Sequence, residues 1–369
     1  MIKVGLLYGG RSGEHEVSRC SAASVYAAID RKKYDVVAVG IDRDGRWHVQ
    51  DPIEIVDDRD FGRVLAIKKT GVWLVNHFED EGKLWLHNIA TGERRHIDVV
   101  FPVLHGTFGE DGTLQGLLEL AMVPYVGADV TGSAVGMDKD VAKRLLRDAG
   151  IGVVPWITIH GARWETERGR IVERIKNEFG LPVFVKPVNA GSSVGVRKVI
   201  LESLIEEAVG KAFLFDTKVM VEKAVDCREI ECSVLGNDTP EASSPGEVIP
   251  RHEFYSYEAK YIDPEGADLR IPADLPAALA ADIRESAVRG YRALCCSGMA
   301  RVDFFLEKNG SAFYLNEINT LPGFTSISMY PKLWEAAGLS YPDLIDRLIG
   351  LAFDRHRRRV SITTELTKQ

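Results

Sequence analysis

The pattern of apolar positions at the start of the chain predicts a strand, a turn, a helix and a second strand. Residues 2–8 are mostly apolar, as in a strand buried on both faces, and Gly9-Gly10 follows them. Apolar residues then recur at helical spacing over 17–29, and residues 34–41 form another short apolar run. This order predicts the opening of a doubly wound α/β domain.

The first domain is predicted to continue with a β-rich segment and further α/β elements. Residues 42–97 alternate short apolar runs with charged turns, which favours a β-rich elaboration. Residues 99–104 are apolar again and predict a buried parallel strand, which a glycine-rich turn connects to a helix over 114–122. A short strand is expected over 123–126, and a polar connection to the next domain begins at Gly127.

A mixture of helices and strands is predicted for the rest of the chain. Asp138 suits the N-cap of a helix that runs to Ala149, with Gly150 just past its end. The stripe of this helix that is expected to be buried consists of Val141, Leu145, Leu146 and Ala149. Strands are predicted over 181–186, up to 200, over 218–222 and over 228–234. Further helices are predicted over 283–294, 331–337 and 342–353.

A β-hairpin is predicted between residues 299 and 319, because Asn309-Gly310 separates two apolar runs. The length of its loop decides which side chains share a face. A two-residue loop would set Asp303 opposite Asn316 and would place Glu317 on the other face of the sheet.

A three-residue loop over 309–311, or a bulge there, would instead set Asp303 opposite Glu317 and Arg301 opposite Asn319. This register is favoured because it gathers two carboxylates, an amide oxygen and a guanidinium on one surface. Two adjacent carboxylates repel each other unless a cation lies between them, and hard oxygen ligands suit Mg²⁺. From the hairpin alone, a metal site and a solvated charged face are equally good interpretations.

Composition and charge limit the class of protein. The chain has 369 residues, 45% of them hydrophobic, which predicts two or three domains. The net charge of −8 argues against nucleic acid as a partner, and the basic run 355–359 is expected to be a solvated tail. No apolar run is long enough to cross a membrane, and no signal-peptide pattern is present. Five scattered cysteines lack zinc or disulfide spacing, which predicts a cytoplasmic location.

Two polar residues follow predicted strands of the first domain, at the edge where open sheets bind ligands. Glu14 either complements the dipole of the following helix or faces a ligand. His105 ends the strand over 99–104, although a single histidine is more often structural. The glycines near residue 10 do not form a complete dinucleotide fingerprint, which disfavours an oxidoreductase.

Two lysines and a glycine-rich loop could bind phosphate. Lys139 lies in the first turn of its predicted helix, where a cation opposes the helix dipole. It is either simply exposed or directed at a phosphate group. Lys186 precedes the loop 188–195, rich in glycine and serine, which is either an ordinary hairpin or a lid over a polyphosphate. The loop does not match a P-loop.

The order of these motifs resembles the ATP-grasp superfamily, and within it the D-alanine–D-alanine ligases. The resemblance covers residues 1 to about 350; it is weakest over 42–97 and absent beyond His356. The segments that carry it are 9–18, 105–106, 110–116, 191–195, 222–225, 257–261, 301–303, 316–320 and 322–323, with Lys139 and Lys186 between them.

The resemblance implies an α/β (mixed α+β) fold with an N-terminal Rossmann-like domain followed by a two-lobed ATP-grasp fold. We expect the Rossmann-like domain over residues 1–127, the central lid domain over 128–225 and the C-terminal catalytic domain over 226–369. ATP would lie between the last two domains.

The resemblance also implies which residues bind the nucleotide and the metal. The expected cofactors are ATP and two Mg²⁺ ions, which Mn²⁺ could replace. The metal ligands would be Asp303, Glu317 and Asn319. The phosphate contacts would come from Lys139, Lys186, Lys260, Ser192 and Ser193. The adenosine contacts would come from Glu222, Lys223, Val225 and Glu229.

In the implied reaction, the carboxylate of a first D-alanine is phosphorylated, and the amine of a second D-alanine attacks the acyl phosphate. Glu14 and His105 would bind the first substrate, and Ser328 and Met329 the second. Arg301 and Gly323 would stabilise the oxyanion. Glu14, Ser192 and Tyr261 would form a hydrogen-bonded triad that closes the lid.

Other functions are weighed against this one. The resemblance implies that Tyr261 favours an amine as nucleophile over D-lactate, whereas D-serine is less well excluded. Another ATP-grasp carboxylate–amine ligase is the next alternative. A non-catalytic nucleotide-binding module could lose Arg301, Asp303 or Glu317 without harm, yet all three are present. The resemblance further implies small-molecule substrates, no nucleic acid, no membrane and a homodimer.

Overall fold

The computed structural model describes residues 1–71, 73–76, 82–251, 266–325 and 327–363. The amino-terminal part builds a sheet in the order β3-β2-β1-β9, in which β1 is parallel to β2 and β9. Its strands are β1 (Ile2–Gly9), β2 (Tyr34–Ile41), β3 (Trp47–Gln50) and β9 (Val99–Pro102). Helix α1 (His15–Ala28) connects β1 to β2. The predicted doubly wound opening is therefore confirmed.

The segment over 42–97 is β-rich, as predicted. It forms an antiparallel hairpin and a three-stranded antiparallel sheet in the order β6-β7-β8. The strands are β4 (Ile55–Asp58), β5 (Gly62–Leu65), β6 (Trp73–Asn76), β7 (Leu84–Asn88) and β8 (Arg94–Ile97). Helix α2 (Thr113–Leu120) follows β9. The strand predicted over 123–126 is reduced to one bridge between Val100 and Tyr125.

The central part is a four-stranded antiparallel sheet, in the order β10-β13-β11-β12, with helices packed on it. The strands are β10 (Trp156–His160), β11 (Val183–Pro187), β12 (Arg197–Val199) and β13 (Lys218–Lys223). The helices of this region and of the connection to it are α3 (Val130–Met137), α4 (Lys139–Asp148), α5 (Gly161–Phe179) and α6 (Ile205–Ala212), with a 3₁₀ turn at Glu202–Leu204.

Helix α4 begins as predicted but buries a different face. The Asp138 carboxylate caps it by accepting from the Val141 N–H at 2.9 Å. Leu146 of the expected stripe is buried, but Leu145 is 37% exposed and Ala149 is exposed, whereas Asp140 and Lys143 are buried. These charged side chains can be buried because each has polar partners inside the protein, which a pattern of apolar residues does not reveal.

The carboxyl-terminal part is an antiparallel sheet in the order β17-β16-β14-β18-β19, with β15 beside β14. Its strands are β14 (Cys227–Leu235), β15 (Glu241–Ala242), β16 (Gly246–Pro250), β17 (Ala267–Arg270), β18 (Met299–Glu307) and β19 (Phe313–Asn319). The helices are α7 (Ala277–Ala293), α8 (Met329–Ala336) and α9 (Tyr341–Val360). No helix in the described ranges is long and apolar enough to cross a membrane.

The β18–β19 hairpin has the favoured register at its site end, but not for the expected reason. Asp303 lies opposite Glu317, whereas the next pair is Phe304 with Leu315. The extra residue is therefore Asn316, a bulge beside the charged residues. The prediction that the loop over 309–311 sets the register is wrong.

Arg355 contradicts the expectation that residues 355–359 form a solvated tail. It extends from α9 to the connection after α2, where its guanidinium donates to the Tyr125 carbonyl at 2.8 Å and to the Gly127 carbonyl. It also donates to Ser297 Oγ at 2.8 Å and lies over the Tyr125 ring. These contacts hold helix α9 against residues 125–127.

Replacing Arg355 with alanine is expected to lower the free energy of unfolding by about 2–3 kcal/mol, because several charge-assisted hydrogen bonds are lost together. Urea denaturation followed by circular dichroism measures the change. Arg358→Ala is the matched control, because Arg358 pairs with Asp238 on the exposed face of the same helix. We expect the control to change stability by less than about 0.5 kcal/mol. Equal losses in both variants would contradict this role of Arg355.

Candidate active site

The charged face of the β18–β19 hairpin is formed by side chains that alternate with core residues. Arg301 lies opposite Asn319 and Asp303 lies opposite Glu317, and all four are half-buried. Val302 lies between Arg301 and Asp303 on β18, and its side chain is fully buried on the other face of the sheet. The predicted grouping of two carboxylates, an amide and a guanidinium on one surface is thus present in the structure.

Asp303 is the centre of this group. The Arg301 guanidinium donates to both of its carboxylate oxygens at 2.7 Å, and Asn319 Nδ2 donates to Oδ2 at 3.0 Å. Arg301 Nε also lies 3.0 Å from Glu231 Oε2 on the neighbouring strand β14. Glu231 was not among the predicted residues, although its spacing of two from Glu229 already puts it on that face.

Asp303, Glu317 and Asn319 fit Mg²⁺ bound together with a polyphosphate. No group of three His, Cys, Asp or Glu side chains that could hold a metal by itself occurs in the described part of the chain. Mg²⁺ is commonly held by only one or two carboxylates, with substrate phosphates and water completing its octahedron. Two carboxylates and an amide oxygen are such a partial ligand set.

Lys139 connects this face to the glycine-rich loop. Its ammonium donates to the Ala190 carbonyl at 2.7 Å and lies 4.0 Å from Glu317 Oε2. The loop is tightly turned, because Ser192 and Ser193 both adopt left-handed backbone conformations, with φ of 48° and 60°. Such conformations are costly for residues other than glycine and occur often at ligand-binding sites.

The loop in turn contacts the first domain at Glu14. The Ser192 hydroxyl donates to Glu14 Oε1, which joins two of the three predicted members of the triad. The Glu14 carboxylate is buried between two glycines: a Cβ at Gly106 would lie 2.6 Å from Oε2, and one at Gly191 would lie 2.7 Å from it. Both glycines are therefore needed for the close approach of backbone to carboxylate.

His105 is buried next to Glu14 and fixes the first domain against the carboxyl-terminal part. Its Nδ1 donates to the Leu321 carbonyl at 3.0 Å, and its Nε2 lies 3.0 Å from Ser21 Oγ. Glu110 Oε1 is 3.8 Å from Nδ1. Burial opposes protonation of the imidazole, but the carboxylates of Glu110 and Glu14 raise its pKa. His105 therefore holds a positive charge more readily than an ordinary histidine.

A second charged group lies between α4 and the central sheet. The Glu222 carboxylate on β13 pairs with the ammonium groups of Lys186 on β11 and of Lys143 on α4. Burial opposes its ionisation, but the attraction of Lys143 and Lys186 lowers the pKa of Glu222 to about 2. The structure thus brings together the predicted Lys186 and Glu222, and adds Lys143, which the sequence did not single out.

The remaining predicted nucleotide contacts lie around the end of β13. Lys223, the last residue of that strand, is exposed, and Val225 follows it in the turn to β14. Glu229 on β14 is half-buried and lies opposite Phe305 on β18. It shares its face of the sheet with Glu231, because strand side chains alternate.

Gly323 and Ser328, two further predicted site residues, lie close together before helix α8. A Cβ at Gly323 would lie 2.9 Å from Ser328 Oγ, so only glycine fits there without displacement. Met329 begins α8 and is buried. The predicted phosphate contact Lys260 and the third triad member Tyr261 lie outside the described residues.

Gly191→Ala is expected to prevent the loop from closing on Glu14, because the added Cβ would take the place of the carboxylate oxygen. The catalytic activity of the site should fall roughly 10- to 100-fold, as for a misplaced catalytic loop. Steady-state kinetics measures the loss. Gly210→Ala on α6 has open space around its Cβ and serves as the control, with unchanged kinetics. Normal kinetics of the Gly191 variant would contradict the proposed closure.

Two family models match the chain: "D-ala D-ala ligase N-terminus" over residues 3–128 and "D-ala D-ala ligase C-terminus" over residues 145–350. A D-alanine–D-alanine ligase of Shouchella clausii is 49% identical over 358 residues, which cover 96% of each chain. The structure of the D-alanine–D-alanine ligase from Coxiella burnetii is similar, with a TM-score of 0.80, 37% identity and 98% of each chain covered. The VanG D-Ala:D-Ser ligase of Enterococcus faecalis has a TM-score of 0.79 and 36% identity, over 95% of this chain and 99% of that one.

Proposed function

The chain belongs to the D-alanine–D-alanine ligase family, and from this premise we propose how its residues carry out the ATP-dependent ligation of two D-alanine molecules. One observation carries the proposal: the first domain, the glycine-rich loop and the β18–β19 face meet at one place, with Lys139 on α4 between the loop and that face. The Ser192 hydroxyl reaches Glu14, and the Lys139 ammonium lies 4.0 Å from Glu317. The site is therefore enclosed by the glycine-rich loop, the first domain and the β18–β19 face.

The first step is phosphoryl transfer to the first D-alanine. A carboxylate oxygen of D-alanine attacks the γ-phosphorus of ATP, ADP leaves, and D-alanyl phosphate forms. Lys139 and Lys186 bind the phosphate oxygens, together with the Ser193 hydroxyl and the N–H groups of Ser192 and Ser193. Glu14 binds the substrate ammonium. Lys260 belongs to the phosphate contacts as well.

The second step forms the peptide bond. The amine of the second D-alanine attacks the acyl carbon, loses a proton, and expels phosphate that carries the bridging oxygen. Arg301 and the Gly323 N–H stabilise the oxyanion that develops on the carbonyl. Ser328 and the Met329 backbone bind the carboxylate of the second substrate. The closed loop keeps water away from the acyl phosphate, which would otherwise hydrolyse.

Asp303, Glu317 and Asn319 hold the divalent metal in this proposal. When bound, Mg²⁺ neutralises the phosphate oxygens and polarises the transferred phosphoryl group. Two ions are expected, and Mn²⁺ should substitute. The hydrogen bonds from Arg301 to Asp303 then have to be given up or shared, and Glu231 is the acceptor that remains beside Arg301.

Several finer features belong to the proposal. Glu222, Lys223, the Val225 backbone and Glu229 form the adenosine site. The three-domain division at residues 127 and 225 is supported by the separate sheets of the three parts. Tyr261 completes the triad with Glu14 and Ser192 and favours an amine over D-lactate. A homodimer in the cytoplasm is expected by resemblance to the family.

D-alanine-dependent release of phosphate tests this function. The purified protein should release phosphate from ATP and Mg²⁺ when D-alanine is added, and only at background rate with L-alanine or without an amino acid. Equal release under all three conditions would contradict the ligase assignment. D-serine added with limiting D-alanine tests the second-substrate preference, which the similarity to a D-Ala:D-Ser ligase makes worth measuring.

A further inference from the structure

Lys143 is a buried charged residue to which the reaction above assigns no part. It lies on α4, one turn after Lys139, and its side chain is 1% exposed. Its ammonium donates to the Val154 carbonyl at 2.9 Å and lies 5.4 Å from the centre of the Trp156 ring. A buried ammonium has lost most of its hydration, so it is tolerated only where fixed partners replace the water.

Glu222 is the partner that balances the charge of Lys143. One oxygen of the Glu222 carboxylate pairs with Lys143 and the other with Lys186, so a single buried anion lies between two cations. Burial lowers the pKa of the Lys143 ammonium, and the Glu222 carboxylate opposes this effect. Loss of Glu222 would leave two buried cations without a counter-charge, whereas loss of either lysine would leave the other to pair with Glu222.

The two lysines are placed differently. Lys186 lies on β11 just before the glycine-rich loop, and the proposed function assigns its ammonium to a phosphate group of ATP. Its bond to Glu222 has to be shared or given up when the nucleotide binds. Lys143 is enclosed by Val154 and Trp156 and has no comparable path to the nucleotide. It is therefore the cation that stays with Glu222 after Lys186 has turned to the phosphate.

We infer that Lys143 is a positioning residue that keeps Glu222 ionised and fixed in the nucleotide complex, and thereby sets the preference for adenine. This inference rests on the proposed role of Glu222 in the adenosine site. An ionised carboxylate is only an acceptor, so it binds the amino group at position 6 of adenine. A purine with a carbonyl oxygen at that position presents a second acceptor and is rejected. Lys143 acts through Glu222 and does not touch the nucleotide.

Calorimetric binding of ATP and of ITP to the full chain, without D-alanine, tests this role. ITP differs from ATP in carrying oxygen at position 6. Lys143→Met should reduce the ratio of ATP to ITP affinity roughly 10- to 100-fold, as expected when a charge-assisted hydrogen bond is lost. Lys143→Arg keeps the charge and should keep the ratio within about twofold of the parent. An unchanged ratio in Lys143→Met, or an equal loss of affinity for both nucleotides, would overturn the inference.

A double-mutant cycle separates this role from packing. In a Glu222→Gln background, Lys143→Met should change the ATP to ITP ratio by less than about twofold, because Lys143 no longer has a carboxylate to orient. The same loss in both backgrounds would indicate a packing effect and overturn the inference. If Lys143→Met alone does not fold, a loss of selectivity in Lys143→Arg would overturn it instead. Because nucleotide binding needs no D-alanine, a failed ligase assay would not be confused with these outcomes.

Discussion

Arg301→Met is expected to lower kcat roughly 100- to 1000-fold, the range found when a donor to a developing oxyanion is removed. In the structure Arg301 makes two hydrogen bonds to Asp303, and its Nε lies 3.0 Å from Glu231 Oε2, so its guanidinium is already oriented before substrate binds. Methionine has a similar length but carries no donor. The loss should appear mainly in kcat, since the oxyanion exists only after the first substrate is bound.

Removing Arg301 also leaves two carboxylates without their cation, so folding has to be monitored by thermal denaturation. Arg228→Met is the matched control. Arg228, on β14 of the same sheet, also donates two hydrogen bonds to one carboxylate, that of Glu247 on β16. This pair lies on the opposite face of the sheet from Arg301. The control should lose stability without a comparable loss of kcat. A value of kcat for Arg301→Met within about threefold of the parent would remove Arg301 from the oxyanion site.

Glu317→Gln is expected to reduce turnover by at least about 100-fold, because a metal that neutralises a transferred phosphoryl group contributes several kcal/mol to the transition state. Glutamine keeps the size of the side chain but removes its charge, so the hairpin should still fold. The concentration of Mg²⁺ needed for half-maximal activity should rise. Calorimetry or the electron paramagnetic resonance signal of Mn²⁺ in the presence of ADP measures metal binding independently of turnover.

Glu307→Gln provides the control on the same hairpin. Glu307 lies on the same face as Asp303 but at the other end of β18, four residues away, where it accepts from the Tyr314 hydroxyl at 2.9 Å. Its replacement should leave both the metal requirement and the turnover unchanged. If Glu317→Gln binds Mn²⁺ as the parent does and turns over at the parent rate, Glu317 is not a metal ligand.

Much of the site could be predicted because strands have a strict period of two. The spacing of Arg301 and Asp303, and of Glu317 and Asn319, determined which side chains share a face once the strands paired. The predicted pairing of Asp303 with Glu317 is confirmed, but it results from a bulge at Asn316 that the sequence does not reveal. The bulge at Asn316 depends on how the hairpin packs in its sheet, and not on the loop at its tip.

The residues that were missed are buried charges. Lys143 carries no sign in the sequence that distinguishes it from a surface lysine, and the spacing of Glu231 from Glu229 indicates its face of the strand but not its burial. Their burial depends on partners far away in the chain, Glu222 in one case and Arg301 in the other. The basic run at the end of α9 was misjudged for the same reason, because the acceptors of Arg355 are carbonyl groups of a distant connection.

Helix α5 is not among the predicted elements, although the spacing of its apolar residues indicates a helix. Trp164, Ile171 and Ile175 are its buried residues; Ile171 and Ile175 share one helical face, and Trp164 lies before a kink at Glu167. The many charged residues between them are arranged in pairs three or four apart, such as Arg174 with Glu178. The pattern over residues 168–179 is therefore that of an amphipathic surface helix.

Transfer of oxygen from the first substrate to phosphate tests the central claim most directly. D-alanine labelled with ¹⁸O in both carboxylate oxygens is incubated with ATP, Mg²⁺ and the protein, and the products are analysed by mass spectrometry. Of the four ¹⁸O atoms in two labelled D-alanine molecules, ligation through an acyl phosphate sends one into the released phosphate; the dipeptide keeps the rest, at the peptide carbonyl and in the terminal carboxylate. Phosphate without ¹⁸O, or phosphate formed without the dipeptide, would contradict the account.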